Sequence, residues 1–217
     1  VSLQELNEYT PEKLAEDASN WGHKYTELLK TEGFPTGVTS KYPIEDVQRY
    51  FEGFHHGLLR VKIQNKYIYI IHLHPSNWET RNREMDWIIS DINNLPKGTP
   101  VILAGDFNTF SPDDSIFYSN SQLEPFFSAR DETFNEFNLK EGKLDYSVIG
   151  KLLEYGFTDL ENKMRSEDYQ FTGSFPTLIE KEGEHGDQRR LDYIFTDGET
   201  ATTVVHAEII ADDVTLK

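Results

Sequence analysis

The chain has 217 residues, room for one large α/β domain, and its 37% hydrophobic and 13% aromatic content supplies enough apolar material for a core, which excludes a disordered linker. Cysteine is absent, which excludes a disulfide framework, a thiolate metal site and a cysteine nucleophile. With 38 acidic against 21 basic residues, the net charge of −17 argues against a protein that holds genomic DNA through its own Lys and Arg, while a phosphate-bearing substrate can still be met by a local metal.

In chain order, "VSLQELNEY" reads as the end of a strand already under way, which implies a natural start upstream of Val1. No run approaches a membrane span and no signal-peptide pattern opens the chain, so a soluble, monomeric protein is expected, cytoplasmic or secreted. In "TPEKLAEDASNWGHKYTELLKTEG", Thr10 suits an N-cap and Pro11 the first helical position. "TGVTSKYPI" reads as a short strand and turn. "GLLRVKI" and "KYIYIIHLHP" are β-rich, with Gln64-Asn65 placed for a tight hairpin.

Helical spacing returns in "ETRNREMDWIISDINNL", where Met85, Ile88, Ile89 and Ile92 share one face. "TPVILAGDFN" is a buried strand running into Gly105, Asp106 and Asn108. "LDYSVIGKLLEYGFTDL" reads as a helix with a C-cap glycine at Gly156. A polar loop, "TGSFPTLIEKEGEHGDQ", leads to the strand "RRLDYIFT", and "TATTVVHAEII" is expected to form a last strand. Strands interleaved with helices and hairpin-like pairs favour mixed sheets in one domain over residues 1–217.

Four segments share a design in which an apolar strand meets a polar group suited to hard-cation or phosphate chemistry. They carry Glu5, then His72 and His74, then Asp106 with Asn108, then Asp192. Magnesium takes oxygen ligands and is held by one or two carboxylates, and attack at phosphorus needs a base for water and donors for the charged oxygens. The plainer readings are turn chemistry for Asp106 and Asn108, a solvated carboxylate for Glu5, and an ion pair with Arg189 or Arg190 for Asp192. His55, His56, His185 and His206 read as loop or edge residues, Trp78 and Trp87 as packing, and Asp113 and Asp114 as turn and cap residues.

Along nearly the whole chain the sequence resembles the metal-dependent endonuclease/exonuclease/phosphatase superfamily, which includes deoxyribonucleases, abasic-site endonucleases, neutral sphingomyelinases and inositol polyphosphate 5-phosphatases. "LQE" is similar to its metal-binding glutamate motif, "TGVTSKYPI" to its G-(V/I)-x-S-(R/K)-x-P-I segment, "IHLHP" to its histidine strand, "GDFN" to its signature, and "RRLDYIF" to its R-x-D-Y-I strand. The resemblance implies a deoxyribonuclease-like four-layer sandwich, two mixed β-sheets flanked by helices. It implies a magnesium-dependent hydrolase of phosphodiester or phosphomonoester bonds, manganese or calcium being possible substitutes, acting on nucleic acid, lipid or a small organic phosphate.

Carried over by residue, the resemblance gives Glu5 the metal, Asp106 the attacking water, Asn108 a donor to the scissile phosphate, and Asp192 the orientation of an imidazole. His72 ranks first for the phosphate oxygen, with His74 the contender. The family's first strand and its C-terminal S-D-H motif fall outside the sequence. The alternative is therefore a catalytically incomplete member acting as a binding module. A calcium-binding structural protein is disfavoured, because no D-x-D-x-D-G loop is present.

Overall fold

The computed structural model describes residues 1–176 and 184–210. Its strands are β1 (Ser2–Leu3), β2 (Tyr25–Leu28), β3 (Gly37–Ser40), β4 (Ile44–Tyr50), β5 (Leu58–Ile63), β6 (Lys66–His72), β7 (Val101–Asp106), β8 (Phe157–Asp159) and β9 (Asp192–Asp197). Its helices are α1 (Pro11–Asn20), α2 (Trp78–Asn93), α3 (Ser115–Tyr118), α4 (Leu123–Phe134), α5 (Ser147–Tyr155), α6 (Leu160–Met164) and α7 (Gly198–Ala201). A three-stranded antiparallel sheet runs β1-β3-β2, and a six-stranded mixed sheet runs β4-β5-β6-β7-β9-β8. Among the described strands β6 and β7 alone pair in parallel, with α2 as the crossover between them.

Side-chain alternation along the strands builds the layers. Tyr69, Ile71, Leu103, Tyr193 and Phe195 face outward onto Met85 and Ile88 of α2 and Val148, Ile149 and Leu152 of α5. The other face of the large sheet presents Leu59, Val61 and Ile70 to Val38 of β3 and to Leu29. Beyond the small sheet, Leu14 of α1 packs on Leu6 and Leu28. Helix, sheet, sheet and helices therefore stack in four layers.

The local signals act as expected in most places. The Thr10 hydroxyl accepts the Lys13 N–H to start α1. Asn77 caps α2 through the Thr80 N–H. Gly156 ends α5 at φ +103°, where an L side chain would be strained. Gln64 takes a φ of +54° in the turn joining β5 to β6.

Two expectations change. Thr200–Ile210 was expected as a strand, but Asp197 caps the Thr200 N–H and winds Gly198–Ala201 into a helical turn, and residues 204–210 have no regular structure. A β-branched run becomes a strand only where a sheet edge receives it. Asp192 opens β9 rather than closing a strand. Because β9 runs antiparallel to β7, this still places Asp192 at the sheet end where Asp106 emerges.

Candidate active site

Hydrogen-bond register assembles the site. In the large sheet Asp106 pairs with His72 on one side and with Asp192 on the other, so three polar side chains form one row across β6, β7 and β9. Directly opposed residues share a face with Cβ atoms about 4.5–5.5 Å apart. This row continues the face of Ile70 and Ala104, which looks toward the small sheet, while Phe107 turns into the opposite core with no exposed surface.

Gly105 makes the crowded strand end possible. At φ +139°, a Cβ there would stand 2.1 Å from the Ile71 carbonyl oxygen and 2.7 Å from Nε2 of Gln4. The missing side chain therefore lets the "LQE" segment lie directly over the strand that carries Asp106. Glu5 follows at φ +53° and is exposed, and its charge contributes to the shift of Asp106.

Asp106 is held well above the usual carboxylate range, by burial first and by the adjacent Asp192 second. Burial also raises Asp192, whose carboxylate meets the Ser174 hydroxyl; that hydroxyl accepts the Leu191 and Asp192 N–H groups as well, each at 3.0 Å. The charges of Asp192 and Glu5 thus converge on Asp106, against which the buried Arg81 supplies a smaller opposing effect.

The turn reading of "GDFN" is realised at the strand end. The Asp106 carboxylate accepts the Asn108 N–H at 2.7 Å, an Asx-type turn, while its Oδ2 lies 3.8 Å from Nε2 of His72. Asn108 is not on the strand. It lies beyond the end of β7 at φ +50°, and its amide nitrogen donates to the Leu73 carbonyl at 3.1 Å, between the two candidate histidines.

The histidines differ in setting. His72 is buried, and burial, with His55 and Lys30 nearby, lowers its pKa to about 4. His74 lies past the strand end, where its Nδ1 accepts the Ser76 N–H at 3.1 Å, and it too is lowered to about 4, mainly by burial. His72 alone of the two is in register with Asp106.

His55 and His56 lie in the loop before β5, as expected, and their rings meet the two candidate histidines. His56 is buried and stacks on His72 with ring centroids 3.9 Å apart and planes 18° apart, while His55 lies 4.1 Å from the His74 ring. Glu84 of α2, also fully buried, accepts the His55 N–H through one oxygen and the His74 N–H through the other, both at 2.8 Å. Helical spacing marks Glu84 only as an acidic residue beside Met85 and Ile88; no sequence signal predicts its burial.

The remaining candidates fall elsewhere. Arg190 does not pair with Asp192: its guanidinium binds Asp114, Asp159 and Glu161 inside the protein. Asp114 is accordingly a buried counterion rather than a cap. Trp87 packs against Tyr50 and Phe54. Trp78 lies under the Lys140 ammonium at 5.0 Å. His185 lies against Phe175 and lines a cavity of about 320 Å³ with Phe126, Arg130 and Arg189, beside Pro75 and Ser76. His206 is exposed and meets Glu208.

Residues 1–214 match the Endonuclease/Exonuclease/phosphatase family. The chain belongs to that family. Solved structures share the fold at low identity. An AP endonuclease from Archaeoglobus fulgidus superposes with a TM-score of 0.63 at 16% identity over 94% of this chain and 78% of its own. A 3'-5' exonuclease from Neisseria meningitidis gives 0.63 at 12% identity, with the same coverage of 94% and 78%. D. rerio TDP2 complexed with a single-strand DNA product gives 0.53 at 15% identity over 91% and 70%. No curated protein sequence matches the chain. Among the described residues no helix is long and apolar enough to cross a membrane.

Proposed function

We propose that the protein is a magnesium-dependent hydrolase of phosphoester bonds, with water attacking phosphorus in line, and that Glu5, His72, Asp106, Asn108 and Asp192 form its active site. The observation that carries this reading is the row His72–Asp106–Asp192, with the Glu5 segment laid over it at Gly105.

The donor set fits a hard cation. Carboxylates meet in one place, and Asp106 is raised by burial first and then by the charges of Asp192 and Glu5. Among the described residues no three acidic, cysteine or histidine side chains form a ready-made cage. A cation held by Glu5 beside Asp106 and Asp192 would keep waters in its shell, the mode magnesium uses and manganese or calcium can share. When bound, it supplies positive charge against the phosphate oxygens.

The chain's own groups do the rest. Asp106 orients the attacking water and takes its proton as the bond to phosphorus forms. Asn108 spends one amide N–H on Leu73 and has a second to donate to a phosphate oxygen. His72, neutral at pH 7 on its lowered pKa, acts as a hydrogen-bond donor rather than a carried proton. Asp192 keeps the pKa of Asp106 high, which makes it a stronger base once ionised. Similar folds include proteins named for DNA substrates and products, so nucleic acid heads the substrate classes, with lipid and small organic phosphates beside it. The net charge of −17 favours short or single-stranded substrates over tightly held duplex.

The test is a panel of DNA ends, abasic duplex, lipid phosphodiester and sugar or inositol phosphates with magnesium, run on wild type, His72→Ala and His74→Ala. Magnesium-dependent turnover lost in His72→Ala and retained in His74→Ala is expected. No turnover on any substrate would overturn the hydrolase in favour of a binding module, and loss only in His74→Ala would move the histidine role two residues along.

A further inference from the structure

We propose that His56 is a positioning residue for this site: its imidazole, lying flat on His72, sets the plane of the His72 ring against Asp106, and Glu84 holds the loop that carries it. The inference rests on the proposed role of His72.

A histidine at a strand end has two free side-chain torsions, and the second is broad rather than sharply staggered. Among the described residues no hydrogen bond of His72 restrains that torsion, because Nδ1 has no partner there and Nε2 is 3.8 Å from Asp106, beyond hydrogen-bond length. What restrains it is the stack, 3.9 Å between centroids and 18° between planes. His56 itself lacks a partner at Nε2, so it is held by packing, with Phe34 meeting its ring edge-on at 5.7 Å and His55 at 4.5 Å.

The stack has a rigid origin. Gly57 follows at φ +91°, and a Cβ there would stand 2.9 Å from Leu29, so the loop turns tightly into β5. On its other side Glu84 bonds the His55 and His74 backbones with one carboxylate. The loop and the exit of β6 are therefore fixed to the same point on α2. A ring that covers His72 from this frame also excludes water from its face, and a dry, oriented donor is worth more to a developing charge than a mobile one. The charged or titratable groups around His72 are Asp106 from β7, His55 and His56 from the loop, His74 beyond β6, and Lys30 after β2.

The experiment compares His56→Phe, which keeps a flat ring in the stack, with His56→Ala, which removes it, using hydrolysis kinetics and NMR of the His72 ring. Expected is a fall in kcat of about tenfold or more with little change in KM for His56→Ala, recovery of most of it in His56→Phe, and a His72 ring signal that is sharp in wild type and His56→Phe but exchange-broadened in His56→Ala. A thermal melt separates the effect from unfolding. Unchanged kcat and an ordered His72 ring in folded His56→Ala would overturn the proposal, as would equal damage in both variants. Full activity in His72→Ala would instead remove the hydrolytic role of His72, and the ring-order measurement would still decide whether His56 holds it.

Discussion

His72 and Asp106 sit side by side on parallel strands, Nε2 to Oδ2 at 3.8 Å, and each is pushed toward its uncharged form by the same burial. They do not form an ion pair at neutral pH despite their closeness. Asp106 spends Oδ1 on the Asn108 N–H, while the facing atoms, Nε2 of His72 and Oδ2 of Asp106, make no hydrogen bond to each other.

That relationship fixes the expected behaviour of Asp106→Asn. The amide keeps an acceptor for the Asn108 N–H and removes a charge that Asp192 and Glu5 oppose. Turnover should fall on the order of a hundredfold or more, while the melting temperature holds or rises. A variant that hydrolyses at the wild-type rate per folded molecule would show that Asp106 serves only the turn.

Gly105→Ala should unfold what Asp106→Asn leaves intact. Its Cβ would enter the Ile71 carbonyl at 2.1 Å in a backbone conformation of φ +139°. Overpacking and strain together should cost about 3 kcal/mol or more, read by urea denaturation. A loss under about 1 kcal/mol would mean the strand end relaxes away from Gln4.

Much of this was legible in the sequence, and the rest has identifiable physical reasons. Gly105, Asp106, Phe107 and Asn108 could be placed because a buried strand ending in a glycine and two turn formers is local information. The strand expectation extended two residues too far: β7 ends at Asp106, and Asn108 is aimed by a left-handed backbone, φ +50°, not by strand periodicity. His55 and His56 were invisible as site neighbours because their rings meet His74 and His72 across separate segments, with no pattern in the local sequence to mark the contact. The plainer reading that paired Asp192 with Arg190 does not hold, since the partners of Arg190 are Asp114 and the Asp159–Glu161 stretch, both distant in sequence.

Arg190 underlies the site by joining the turn after "GDFN" to β8 and α6, with Asp114 at 2.8 Å, Asp159 at 2.6 Å and Glu161 at 2.9 Å. Arg190→Met would leave Asp114 and Asp159 as buried charges with too few partners. A destabilisation of about 3–5 kcal/mol is expected. Arg190→Lys should recover little of it, because one ammonium cannot reproduce the fork. Near-wild-type denaturation of Arg190→Met would show that the carboxylates simply take up protons.

Acid should weaken the protein through the imidazole cluster, and two substitutions should move that effect in opposite directions. His56, His72 and His74 are lowered to about 3, about 4 and about 4, by burial and then by neighbouring imidazoles, so each stays neutral when folded but charges when unfolded below about pH 6.5. Their stabilisation is present above that value and is lost as pH falls toward the folded values. Glu84 is raised to about 7 by burial, so its contribution is complete below its unfolded value of about 4.5 and is lost as pH rises through about 7. Between those limits, for these four groups alone, the unfolded chain takes up three protons on the imidazoles while the folded chain keeps one on Glu84, a net of two, and the raised Asp106 and Asp192 carboxyls oppose it. The contribution of these four groups should therefore fall by roughly 2–3 kcal/mol per pH unit on acidification across that window. His56→Phe removes one imidazole and should roughly halve this contribution. Glu84→Gln removes the opposing carboxyl and should steepen it by about half, while lowering stability at every pH because an amide oxygen cannot replace both carboxylate acceptors for His55 and His74. Urea unfolding across the window measures all three proteins, and equal slopes would show that the buried imidazoles charge without unfolding the chain.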